Sequence, residues 1–251
     1  MNKPHIGTMG WSYPFWAENF YPKGVSSSSY LTEYSKHFDT VEIDSTFYRI
    51  PSEATFQKWK GQTPDGFLFS AKFPQTITHK KMLIDCDKEV EFFLERTSTL
   101  QNKLGPLLLQ FPPAFGPKKL PRLEEFLPKL PREHRYAVEV RSRDMLADEL
   151  YSILKGNRVA LALTVGRFIP EIEQITADFV YIRWEGDRSK VNGTLGKVEV
   201  DRTDEIRVWA DKIRKLREKL EVFGYFSKYY SGHPPTDAKR LVGFVECTSW
   251  K

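Results

Sequence analysis

Eight short apolar, β-branched or aromatic runs recur along the 251 residues, each followed by a stretch of helical periodicity or a short connector, with only brief Gly, Pro and Ser breaks. Strand and helix in alternation mean parallel βαβ crossovers. Eight such units at this length predict an α/β fold, a single-domain (β/α)8 TIM barrel with a parallel eight-stranded core spanning 1–251. An open doubly wound sheet is the alternative. It would carry a glycine-rich phosphate turn after the first strand, and GTMGW at 7–11 does not have that pattern.

The units follow in order. Run 5–11 leads through an aromatic cluster to a helix over 28–38, where Leu31, Tyr34 and Phe38 recur at helical spacing. Run 40–47 precedes a helix over 52–60, and run 67–73 a helix over 88–103 with Val90, Phe93, Thr97 and Leu100 on one face. Runs 107–111 and 136–141 are followed by helices over 121–130 and 144–155. Run 159–165 has only 166–178 after it, room for a turn or two of helix at 170–175, so the sixth unit is expected to be the shortest. Run 179–184 precedes a helix over 203–219 whose apolar stripe is Ile206, Trp209, Ile213, Leu216 and Leu220, and run 222–227 a closing helix over 233–245.

Composition narrows the function classes. Hydrophobic residues at 40% and charged residues at 28% are globular values, and no apolar run approaches the ~20 residues of a membrane span. No signal-peptide core opens the chain, and two cysteines give neither a disulfide framework nor metal-ligand spacing, so the expectation is a cytoplasmic protein without membrane partners. The net charge of +5 is small, and pairs such as Lys80-Lys81 and Lys118-Lys119 are scattered, so nucleic acid is expected to bind weakly and without sequence preference.

Strand alternation points to a site. Successive strand residues face opposite sides. Val41 and Ile43 share one face, leaving Glu42 and Asp44 on the other; Val138 and Val140 oppose Glu139 and Arg141; Val180 and Ile182 oppose Tyr181, Arg183 and Glu185. Ser70 and Lys72 oppose Phe69 and Ala71, and Leu108 pairs with Gln110. The apolar faces must meet the helices, so these charges point inward near the C-terminal strand ends, where barrel enzymes work. Buried charges must pair, or meet ligand or water.

The motifs GWSYPFW at 10–16, VEIDSTFYRIPS at 41–52, FSAKFPQTITH at 69–79, GPLLLQFPP at 105–113, YAVEVR at 136–141 and DFVYIRWEGD at 178–187, in that order, resemble the YecE-like family, domain of unknown function family 72. The resemblance runs from Ile6 to about Leu241. It implies a TIM barrel and no established reaction. Asp44 stands where members typically have Asn, and Ser227 and Lys228 where many carry an Asn pair.

The candidate catalytic residues are therefore Glu42, Asp44, Lys72, Glu139, Arg141 and Arg183. Carboxylates beside cations serve as bases, crowded ones as acids, and the two arginines offer forks for a carboxylate or phosphate. Lys72 is a Schiff-base candidate if it is desolvated. Trp11, Tyr13, Tyr48, His79, Gln110 and Trp184 are the candidate ligand-binding residues, with the aromatics as a stacking wall. No cofactor and no metal is expected, and the partner is a small anionic or sugar-like molecule. A non-catalytic binding barrel and a nuclease-like phosphodiesterase barrel are the alternatives. A ligand site of this kind would tolerate Glu139→Gln with little change in stability, and would be stabilised by an anion bridging Arg141 and Arg183.

Overall fold

The computed structural model describes residues 2–166 and 173–247. Nine strands lie among the described residues: β1 (His5–Thr8), β2 (Thr40–Ile43), β3 (Leu68–Lys72), β4 (Leu104–Gln110), β5 (Tyr136–Glu139), β6 (Ala160–Leu161), β7 (Leu163–Gly166), β8 (Phe179–Gly186) and β9 (Glu221–Phe226). Every pairing between them is parallel, as the alternation with helices requires. The ladders divide into two sheets, ordered β2-β3-β4-β5-β6 and β1-β9-β8-β7.

The sheets meet at two seams. The expected sixth strand is split by Ala162 into β6 and β7, and the Ala162 N–H donates to the Val138 carbonyl at 2.8 Å. At the other seam Met9 and Glu42 form an isolated parallel bridge, and the Gly10 N–H donates to the Glu42 carbonyl at 2.8 Å. Gly7 lets β1 come this close: a Cβ there would lie 2.2 Å from the Thr40 carbonyl oxygen. Strands 1 and 2 stop earlier than their apolar runs, because the chain turns at Gly10 (φ +78°) and enters a 3-10 turn, Ser45–Phe47, immediately after Asp44.

Helices α1 (Tyr30–Tyr34), α2 (Glu53–Gly61), α3 (Asp87–Ser98), α4 (Leu120–Phe126), α5 (Asp148–Gly156), α6 (Thr203–Leu216) and α8 (Pro234–Glu246) fall within or within a residue of the expected stretches. Between β9 and α8 lies a one-turn helix, α7 (Lys228–Ser231), that the sequence pattern does not reveal. Ser52 caps α2 by accepting the Thr55 N–H, and α6 buries Ile206, Trp209 and Ile213, as its stripe requires. Of the sixth helical unit, 167–172 lie outside the described residues, and 173–178 carry no helix. No described helix is long and apolar enough to cross a membrane.

Two apolar cores result. The larger packs the outward strand faces against the helices. The smaller lies on the opposite strand faces and draws on both sheets, with Met9, Leu108, Ala137, Ala162, Tyr181 and Phe223 among its members. Polar groups tie the sheets across this inner face: the Tyr225 hydroxyl of β9 is 2.8 Å from Thr40 Oγ1 of β2 and 2.7 Å from Ser70 Oγ of β3.

The N-terminal strand ends carry an ion cluster. His5 of β1 lies 3.3 Å from Asp39 and 3.6 Å from Glu221, and Arg135 reaches Glu221 at 2.7 Å. Burial pulls the His5 imidazole down, but the two carboxylates outweigh it and raise it to about 9. A raised imidazole contributes stability that is complete below its unfolded value and lost as pH rises through its folded one. Urea unfolding should therefore show stability falling between about pH 6.5 and 9, and His5→Gln should flatten that slope. Gly7→Ala should destabilise by about 1–3 kcal/mol through overpacking at the seam; an unchanged midpoint would mean that β1 can move away from β2.

Candidate active site

Arg183, at the C-terminal end of β8, is fully buried, and its surroundings organise the site. Its Nε donates to Glu42 Oε2 at 3.0 Å and its Nη2 to Glu42 Oε1 at 2.8 Å, a bidentate pair from β8 to β2. Nη1 donates to Glu139 and to Glu185, and Nη2 also approaches Met9 Sδ at 3.3 Å. A guanidinium has five N–H donors, and these contacts take all five. The Tyr181 hydroxyl donates to Glu42 at 2.6 Å, so both Glu42 oxygens are satisfied as well. Arg141, just past β5, donates from Nε to Glu139 at 2.9 Å and from Nη2 to Glu185 at 3.3 Å.

The two buried carboxylates differ in proton affinity. Burial and the neighbouring Asp44 charge push Glu42 up, to about 7, against the pull of Arg183 and Tyr181. Burial also acts upward on Glu139, but Arg183, Arg141 and Lys72 together hold it down at about 2. Two acids on one guanidinium are thus driven apart.

Above this tier lie the groups that the arginines leave open. Lys72, the last residue of β3, is 8% exposed, and its ammonium sits 4.2 Å over the Phe47 ring. Among the described residues the ammonium makes no hydrogen bond and no ion pair, because the arginine forks hold Glu42, Glu139 and Glu185. Burial and Arg183 lower its proton affinity, opposed by Asp44, Glu139 and Glu185. The Thr46 hydroxyl fixes the arrangement: it accepts the Lys72 N–H at 3.2 Å and lies 2.7 Å from the Lys72 carbonyl oxygen, anchoring the turn that carries Phe47. His79, on a π-helical turn over Thr76–Lys80, packs edge-on against Phe47 with its Nδ1 2.9 Å from the Thr78 hydroxyl. Burial and the nearby cations lower it to about 4, so it is neutral at physiological pH. Asp44 is 3.6 Å from Arg183, and its Oδ1 is buried without a hydrogen-bond partner.

The expected residues therefore sort by position. Glu42, Glu139 and Arg183 come together as a closed network, and Arg183 keeps no donor for a ligand, so it cannot help to bridge an anion. Lys72, Asp44, Arg141 and His79 adjoin that network, and Gln110 is buried with its amide donating to the Phe111 carbonyl at 2.8 Å. The stacking wall does not form. Trp184 is completely buried in the outer core, 4.2 Å from Phe226 in a stacked pair, because it shares strand parity with Val180 and Ile182. Trp11 packs edge-on against Trp59 in the same core. The Tyr13 hydroxyl donates to the Met9 carbonyl at 2.9 Å, and Tyr48, 76% exposed, packs edge-on against the Phe47 ring. Phe47 and Glu185 belong to the cluster but not to the expected set. Glu185 was readable from strand parity; Phe47 was not, since it lies in a turn. Among the described residues no group of three His, Cys, Asp or Glu side chains is arranged to hold a metal, and a guanidinium occupies the space between Glu42 and Glu139.

This sealing reverses the expectation for Glu139. Removing one partner of a buried pair costs roughly 3–5 kcal/mol, and Glu42 and Glu185 would still hold Arg183. Glu139→Gln should therefore destabilise toward the lower end of that range, read by urea unfolding at neutral pH. A neutral or stabilising change would show that the network is strained rather than closed.

Comparison with known proteins places the chain. The UPF0759 protein YecE of Escherichia coli (strain K12) is 42% identical over 143 residues, 57% of this chain and 50% of that protein. The UPF0759 protein YunF of Bacillus subtilis (strain 168) is 37% identical over 121 residues, 46% of this chain and 42% of that protein. The chain thus spans about half the length of the curated relatives it matches. The crystal structure of a DUF72 family protein from Thermotoga maritima MSB8 superposes with a TM-score of 0.85 at 24% identity, covering 98% of this chain and all of the other, so the two share a fold. The family model described as protein of unknown function DUF72 matches residues 5–249, and the chain belongs to that family.

Proposed function

We propose that this protein is an enzyme built on a one-domain (β/α)8 frame, acting in the cytoplasm on a small, polar, sugar-like substrate at the C-terminal strand ends. The frame is supported by the two seams and by the inner core that both sheets share. The single observation that carries the enzyme reading is Lys72: a buried cation resting on the Phe47 ring, unclaimed by the three carboxylates that act on it, Asp44, Glu139 and Glu185, while a buried Asp44 oxygen has no donor. A structural network would close on itself, as Arg183 does. Lys72 and Asp44 instead provide one donor and one acceptor at neighbouring positions, which suits hydroxyl and carbonyl groups.

Charge narrows the substrate class. Glu42, Asp44, Glu139 and Glu185 face Lys72, Arg141 and Arg183, four potential negative charges against three positive. This favours a neutral or singly charged substrate over a phosphate-rich one, and argues against a nucleic-acid backbone at this site.

Native mass spectrometry of the protein incubated with a small-molecule metabolite extract, with Lys72→Gln in parallel, tests the reading. The expected result is a small polar adduct retained by the wild type and absent from Lys72→Gln. If no adduct forms, and Lys72→Gln unfolds at a higher urea concentration than wild type, the ammonium serves no ligand and the cluster is structural.

A further inference from the structure

Lys72 combines features that rarely occur together on a lysine. Its stem leaves the end of β3, its backbone is pinned by Thr46, and its amine rests on the Phe47 ring at 4.2 Å with no carboxylate in contact among the described residues. A lysine that is only structural, such as Lys103, is saturated: its ammonium donates to the Lys60 carbonyl at 2.9 Å and to the Thr63 carbonyl at 2.7 Å. Lys72 has the opposite arrangement. An amine desolvated against an aromatic face and close to an arginine is in the environment that activates a lysine as a nucleophile.

We infer that Lys72 forms a Schiff base with the carbonyl carbon of an open-chain hydroxy-aldehyde or hydroxy-ketone. This deepens the proposed function and rests on it. The amine lone pair attacks the carbonyl carbon, and the C=O π pair moves onto oxygen. The proton released from nitrogen passes to Asp44 Oδ1, the acceptor without a donor, and from there to the new alkoxide, giving a carbinolamine. A second proton, from solvent, carries that oxygen away as water while the nitrogen lone pair closes the C=N bond. The product is a protonated iminium, an electron sink for breaking a bond at the adjacent carbon. Neutral His79, against the other contact of Phe47, is placed as a base near that carbon. The groups that bear on the amine are Asp44, Glu139 and Glu185, which favour its charge, and Arg183, which opposes it.

The test is reductive trapping of the 251-residue chain with dihydroxyacetone and cyanoborohydride, followed by peptide mapping. At neutral pH the expected dominant adduct is on Lys72, heavier by the probe less one oxygen. Its yield should rise less steeply on going alkaline than that of an exposed lysine in a model peptide treated alongside, which gains about tenfold per pH unit below ~10.4. Lys72→Arg, which keeps the cation, should lose the adduct, and Asp44→Asn should slow trapping by about tenfold or more without moving it. Formaldehyde, small enough to reach a buried amine, is the control for access. If Lys72 follows the exposed-lysine pH profile with both probes, or is the least modified lysine with both, the Schiff base is wrong. In that event, a metabolite adduct still lost in Lys72→Gln would leave a non-covalent site standing; its absence would remove both readings.

Discussion

A fully buried guanidinium sets the terms for this molecule. Arg183 belongs to the four-stranded sheet, and its main partners, Glu42 and Glu139, belong to the five-stranded one. An arginine cannot shed its proton to escape desolvation, so every donor must find an acceptor. Satisfying five donors at fixed angles requires β2, β5 and β8 to arrive at one depth and one register. The ion network is therefore also a gauge that holds the two sheets in position, and the Tyr181 bond to Glu42 and the Tyr225 bonds to Thr40 and Ser70 repeat the function lower on the same inner face. Apolar side chains could fill that volume at least as stably. What they could not do is hold charges at defined points just beneath the strand ends.

The closed network explains the open groups above it. Carboxylates prefer a planar fork to a point charge when both compete in a dry setting. Arg183 and Arg141 take the oxygens of Glu139 and Glu185, and Lys72 is left with the Phe47 ring, a weaker partner. The lysine's lowered proton affinity follows first from its burial and then from Arg183, against the pull of Asp44, Glu139 and Glu185. Asp44 is the counterpart on the acidic side. It reaches Arg183 only at 3.6 Å, after the guanidinium's donors are spent, so an oxygen stays unfilled and its charge pushes on Glu42.

Much of this was legible in the sequence, for a definite reason. Period-two alternation is local, and it put Glu42, Lys72, Gln110, Glu139 and Arg183 on one face of their strands without reference to any partner. The strand count was legible on the same ground, apart from the break at Ala162, where an unbroken apolar run conceals a handover between partner strands. Which charges would seal and which would stay open was not legible, because that depends on fork geometry between strands far apart in the chain. Aromatics misled most. Trp11 and Trp184 suit a stacking wall by residue type, yet the parity that placed Arg183 inward already placed Trp184 outward. Phe47 had no signal: it sits in a 3-10 turn where neither period applies, and only the Thr46 hydroxyl brings it beneath Lys72.

The two ends of the strands show how similar residue types serve different ends. At the N-terminal end, His5, Asp39, Arg135 and Glu221 also form a mixed ion cluster, but each charge there meets an opposite one and Glu221 and Asp39 are held below their ordinary range by their partners. The shifts of His5, Asp39 and Glu221 all favour the charged form, as ion pairs that stabilise a fold require. At the C-terminal end the shifts run both ways: Glu139 is held charged, while Glu42 and Lys72 are pushed toward neutrality. Burial alone moves groups this way elsewhere in the fold, as at Lys103 and Asp237. What distinguishes the C-terminal end is that the displaced groups gather around one guanidinium, where parallel strands end and the chain turns.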